Sequence, residues 1–133
     1  MTRSILADTG PLYALADPSD QFHTRAVAEL ESIKKRGLAI GATYATLCEA
    51  YTLVLRRLGA NYAHQWLAEM FAGAVLWNPE PTDYVLASVE LDRYSDQAIT
   101  LIDAVTAVIS GKLGVPVWSY DRHFVTMGVE LWP

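Results

Sequence analysis

Four short apolar runs, each followed by residues with helical periodicity, constrain the fold of this chain more than any other feature. Residues Ser4–Ala7, 38–42, 74–77 and 115–119 have the length and composition of buried strands. After the first, Gly10-Pro11 opens a short helix, because proline suits a first helical turn. Phe22, Ala26, Leu30 and Ile33 form an amphipathic stripe over 22–33, ended by Lys34-Lys35-Arg36-Gly37. Tyr44, Leu47, Tyr51, Leu55 and Leu58 mark a helix that stops at Gly59. Helices over 61–72, 82–94 and 101–112 follow, the last apolar nearly all round. A helical turn from Asp121 then leads to a last strand over 129–132. Such alternation predicts an α/β fold with a mostly parallel sheet.

No repeat or Ser/Gly/Pro-rich linker divides the 133 residues, so residues 1–133 are read as one domain. A hydrophobic content of 52% supplies a core and excludes disorder. No apolar run approaches the ~20 residues that span a bilayer. Ile5-Leu6-Ala7 before Asp8 is no secretory segment, and a lone Cys48 forbids an internal disulfide. A soluble cytoplasmic protein with no membrane partner is expected. The net charge of −5 argues against holding nucleic acid by bulk positive charge, though not against local binding. Isolated glycines, with no phosphate-cradling loop, argue against a nucleotide cofactor.

The placement of four carboxylates carries the chemistry. Asp8 follows the first strand, Glu49 lies early in the helix after the second, Asp103 opens the helix from Leu101, and Asp121 follows the fourth strand. In an open parallel sheet these junctions share one edge, where ligands bind. Each acid taken singly has a structural explanation. Asp and Glu suit first helical turns, Thr46-x-x-Glu49 has the capping-box pattern, and Thr100-x-x-Asp103 approximates it. Glu49 also shares a face with Thr52 and Arg56, opposite the apolar stripe, where it would be solvated. Taken together the acids need a partner, since two carboxylates about 5 Å apart repel by about 3 kcal/mol at an effective dielectric of ~20. Oxygen ligands without a matching His/Cys set point to Mg²⁺ or Mn²⁺, one or two ions, and to phosphoryl chemistry.

At these residues the sequence resembles the PIN-domain family, specifically VapC-type toxin ribonucleases, over essentially its whole length. The motifs are Ala7-Asp8-Thr9-Gly10-Pro11-Leu12-Tyr13-Ala14-Leu15 running on to His23, then Ala42-Thr43-Tyr44 with Leu47-Cys48-Glu49-Ala50. Asp96 through Ala104 and Ser119-Tyr120-Asp121-Arg122-His123-Phe124 complete the set. Each is short; their order and their placement at successive junctions are specific. The resemblance implies a PIN-like three-layer α/β/α fold with about five strands. It assigns Asp8, Glu49, Asp103 and Asp121 as catalytic metal-binding acids, with Thr9 and Ser119 supporting them. It further implies a homodimer and a cognate antitoxin that covers the groove. His123 stands where many relatives carry a further acid, which leaves open whether it ligates metal, binds phosphate or faces solvent.

Arg56, Arg122 and His123 are weaker candidates for contacting RNA. Tyr13 and Tyr120 flank acids and are placed to stack a base. Asp17-Pro18-Ser19-Asp20 reads as a turn, Asp96 as a loop residue bonded to backbone, and Cys48 as a buried thiol. The expected function is a Mg²⁺/Mn²⁺-dependent endoribonuclease, a toxin of a VapBC-like pair, hydrolysing RNA phosphodiesters with metal-activated water. The alternatives are a PIN ribonuclease of RNA processing, and a catalytically silent metal-binding interaction or signalling module.

Overall fold

A computed structural model of the chain describes residues 3–132. β1 (Ser4–Ala7) leads to α1 (Thr9–Ala16) and α2 (His23–Lys35). β2 (Ala39–Thr43) leads to α3 (Tyr44–Leu58) and α4 (Ala60–Gly73). β3 (Val75–Trp77) leads to α5 (Pro81–Arg93) and α6 (Leu101–Leu113), and β4 (Val117–Trp118) to α7 (His123–Thr126). The strands make one parallel sheet in the order β3-β2-β1-β4, with Ile5 opposite Ile40, Leu6 opposite Val117 and Ala42 opposite Leu76.

β1 is central, and Ile5, Leu6 and Ala7 are all fully buried. Successive strand side chains point to opposite faces, so such a run needs cover on both sides. Ile5 and Ala7 pack with Leu12, Ile33, Leu47 and Val54 from α1, α2 and α3. Leu6 packs on the other face with Val117, Ile109 and Phe124. Ala87, Ala104 and Val105 join α5 to α6 in a third cluster. The result is helix, sheet, helix. Gly41 is required where β2 passes Trp77: a Cβ there would lie 2.2 Å from the indole ring.

Several details depart from the sequence reading. The sheet has four strands among the described residues, against about five expected. Residues 129–132 make a single parallel bridge, Leu131 to Val117, because β4 offers only Val117 and Trp118 before the chain turns away. The buried face of α3 runs through Thr46, Leu47, Ala50 and Val54, whereas Tyr44 and Leu55 are partly exposed. Helix α3 begins at Tyr44 and is capped by Thr43, whose Oγ1 accepts from Thr46 N at 3.1 Å, so Thr46-x-x-Glu49 is no capping box. Cys48 is exposed, not buried. Asp96 is also exposed, with no side-chain hydrogen bond among the described residues. Asp17 and Asp20 do organise a turn, accepting from Ser19 N and Phe22 N at 2.9 Å each. No helix among the described residues is long and apolar enough to cross a membrane.

Candidate active site

The carboxyl ends of β1 and β4 meet the first turns of α1 and α6 at one edge of the sheet. Asp8 occupies the N-cap of α1 in extended conformation, yet its carboxylate makes no cap bond. Its Oδ2 accepts from Ser119 Oγ at 2.8 Å, and its Oδ1 is buried with no hydrogen-bond partner. Ser119 Oγ also accepts from Asp121 N at 2.9 Å, so one hydroxyl ties the end of β1 to the loop after β4. On α6, Thr100 Oγ1 caps the helix by accepting from Asp103 N at 3.1 Å, which leaves the Asp103 carboxylate free. Thr9 Oγ1 donates to Glu49 Oε1 and holds the acid of α3 toward α1. The rotated face of α3 explains why Glu49 is half-buried here and not solvated.

Asp8, Glu49, Asp103 and Asp121 line a cleft of about 600 Å³, with Thr9, Tyr120 and Arg122 at its walls. Asp8 is 6% exposed and Asp103 7%. Burial pushes the Asp103 carboxyl up to about 7, helped by the charges of Asp8, Asp121 and Glu49. Burial also raises Asp8, and Glu49 and Asp121 add to it, against the lowering effect of Ser119 and the Thr9 backbone. Among the described residues no lysine or arginine pairs with any of the four acids. An unneutralised set of hard oxygen donors, one buried and unpaired, fits a divalent cation.

Ser119 and Thr9 thus reach the acids by hydrogen bonds, and His123 reaches Asp121, with Nδ1 3.4 Å from Asp121 Oδ1. Arg56 does not line the cleft and lies exposed on α3. Tyr13 is not free to stack a base. It is 5% exposed, donates to Asp17 Oδ2 and carries the Arg57 guanidinium 5.0 Å over its ring. Tyr120 lines the cleft beside Phe22, with ring centroids 4.8 Å apart.

Sequence reasoning missed Glu29. Its Oε1 accepts from Tyr120 OH at 2.5 Å and from Trp118 Nε1 at 3.2 Å, and Arg25 Nε lies 3.5 Å away. Glu29 therefore grips the residues on either side of Ser119. One signal was available: Glu29 falls on the same stripe of α2 as Phe22, Ala26 and Ile33, an acid on a buried helical face.

No family model and no curated protein matches the chain. Solved structures do match it. The sarcin-ricin loop cleaving toxin VapC20 of Mycobacterium tuberculosis superposes with a TM-score of 0.82 at 21% identity, covering 95% of this chain and 96% of VapC20. VapBC2 of Rickettsia felis, solved bound to a DNA fragment from its promoter, gives 0.75 at 13% identity, covering 96% of each chain. FitAcB of Neisseria gonorrhoeae gives 0.68 at 17%, covering 97% of this chain and 96% of the other. The chain therefore shares the three-layer α/β/α fold of these three proteins over nearly its whole length.

Proposed function

We propose that the chain is a divalent-cation-dependent endoribonuclease, the toxin of a VapBC-like pair. The observation that carries this reading is the cleft itself. Four carboxylates from four distant segments line one cleft with no lysine or arginine partner among the described residues, and Asp8 Oδ1 is buried without a hydrogen bond. Asp8, Glu49, Asp103 and Asp121 would hold one or two Mg²⁺ or Mn²⁺ ions. A cation there supplies Lewis acidity for attack of water on a phosphodiester and for the leaving oxygen. Thr9 sets the rotamer of Glu49, and Ser119 sets Asp8 against Asp121. Arg122, exposed at the rim, is placed to meet a backbone phosphate. The likeness to VapC20 supports RNA as substrate, and the likeness to VapBC2 and FitAcB supports an antitoxin partner. We further propose a homodimer acting in the cytoplasm.

The test is cleavage of purified total RNA by the isolated protein in Mg²⁺ or Mn²⁺. Cleavage is expected to stop in EDTA and in Asp8→Asn. Cleavage that survives both changes would falsify the cation mechanism. Growth arrest on expression, relieved by a small protein encoded alongside, is expected of a toxin; active protein without arrest would place the enzyme in RNA processing instead.

A further inference from the structure

We propose that His123 supplies an imidazole ligand to this cation site, so that the position between Asp103, Asp121 and His123 prefers a first-row transition ion such as Mn²⁺ over Mg²⁺. The inference rests on the reading that the cleft holds a cation and adds which ion it selects. A ring nitrogen of His123 and one carboxylate oxygen each from Asp103 and Asp121 lie within 4.8 Å of one another. An octahedral ion with bonds of about 2.1 Å separates its ligand atoms by about 3 to 4.2 Å, so a small contraction closes the set.

The imidazole is otherwise unemployed. His123 Nδ1 is buried and makes no hydrogen bond; Asp121 Oδ1, 3.4 Å away, is in ion-pair range but not aligned to accept. The side chain is nonetheless held in place. Asp121 Oδ1 accepts from the His123 backbone N–H at 2.9 Å, and the next residue of α7, Phe124, is fully buried. Beside this set lies Asp8, 94% removed from solvent, with the second unpaired atom, Oδ1. Two buried polar atoms without partners thus belong to residues that each face Asp121: an oxygen on Asp8, which the Asp121 charge reaches, and a nitrogen on His123, 3.4 Å from its carboxylate. Burial of such atoms is unfavourable unless a ligand completes them.

The donor chemistry then decides the ion. Mg²⁺ is held by oxygen donors and keeps much of its water, whereas imidazole nitrogen favours first-row transition ions. A fifth carboxylate, at position 123, would leave the site all-oxygen; histidine makes it a discriminator.

The test compares the cation-stripped wild-type chain with His123→Asp and His123→Asn, above the ordinary imidazole pH range. Calorimetry gives Mn²⁺ and Mg²⁺ affinities, and pulsed electron paramagnetic resonance of bound Mn²⁺ reads coupling to nitrogen. The proposal expects nitrogen coupling in the wild type and its loss in both variants. It also expects the Mn²⁺:Mg²⁺ affinity ratio to fall about tenfold or more in His123→Asp. Retained Mg²⁺ binding in His123→Asp shows that the variant folds. Mn²⁺ bound to the wild type without nitrogen coupling, or an unchanged affinity ratio, overturns the role of His123 and leaves the acid site standing. No binding of either ion by the wild type overturns the cation site itself.

Discussion

Two aspartates buried against α6 have opposite electrostatics. Asp83, on α5, is 2% exposed, and its Oδ1 accepts from Lys112 Nζ at 2.8 Å. Its Oδ2 accepts from the Glu80 N–H at 2.8 Å, so every oxygen is engaged and the carboxyl is held below its ordinary range, chiefly by Lys112. Asp103, two helical turns and more from Lys112 on α6, is buried to a similar degree but faces Asp8, Asp121 and Glu49 and is pushed up to about 7. Burial is common to both; neutralisation is not. A carboxylate with its own partners closes a structure, and one without them leaves a vacancy in charge that a ligand can fill.

The largest expected effect separates the two roles by substitution. Asp103→Asn should reduce RNA cleavage at least ~100-fold, the upper end of losses seen when even supporting groups of a metal site are removed. The same change relieves repulsion within the cleft, so the cation-free protein should melt no lower than wild type, by calorimetry or circular dichroism. Asp83→Asn should do the reverse. It should lower the melting temperature by freeing Lys112 from its partner while cleavage per folded molecule stays near wild type. If both variants lost stability and kept activity, the distinction between the two aspartates would fail.

The next effect is on pH. A carboxyl raised in the folded state binds its proton more tightly than in the unfolded chain. Asp103 therefore costs the cation-free fold nothing below the ordinary carboxylate range, destabilises it increasingly as pH rises from about 4 to about 7, and adds nothing further above that. Asp83 runs oppositely: its contribution is full above the ordinary carboxylate value and is lost as pH falls through its depressed one. Cations compete with the Asp103 proton, so Mn²⁺ affinity should rise by up to about tenfold per pH unit toward 7 and then level. Asp103→Asn should abolish that branch of the melting profile, leaving the Asp83 branch in place.

How much of this was legible depends on whether the signal was local. The alternation of apolar runs with helical stripes needs only short windows, and it located β1 through β4 and the helices to within a residue or two, although Pro116 trims β4. The junction acids were visible because a parallel sheet sends all its strand ends to one edge. What failed was rotational or long-range. The buried face of α3 runs through the small side chains of Thr46 and Ala50 as well as Leu47 and Val54, so the larger Tyr44 and Leu55, each 37% exposed, misled the choice of stripe. The Glu29 contacts with Trp118 and Tyr120 join residues about 90 positions apart, and the Asp83–Lys112 pair crosses two helices. Nothing in a local window specifies such partners.

Glu29 offers a gentler probe of the cleft side of the comparison. It touches none of the four acids, yet it holds Trp118 and Tyr120 around the Ser119 that bridges Asp8 and Asp121. Glu29→Ala should weaken Mn²⁺ binding about tenfold, within the range for groups that orient ligands, and lower kcat more than it raises KM. Glu29→Gln retains an acceptor for both donors and should recover most of the loss. An equal loss in the two variants, or a melting change with no change in Mn²⁺ affinity, would reduce Glu29 to a structural contact.

The smallest expected effect compares two exposed arginines, since the acids of the cleft repel a phosphate backbone until cations and basic side chains offset them. Arg122 lines the cleft beside Asp121, and Arg56 lies outside it on α3. A solvent-exposed charge contact contributes about 1 kcal/mol or less, equivalent to about fivefold or less in affinity. Arg122→Ala should therefore raise KM for a short RNA a few-fold with kcat nearly unchanged, and should make binding less sensitive to salt because one phosphate contact is gone. Arg56→Ala should leave both constants and the salt slope at wild-type values. A KM effect at Arg56 as large as at Arg122 would extend the RNA path from the acid cleft across the solvent face of α3, and the cleft alone would no longer define the substrate site.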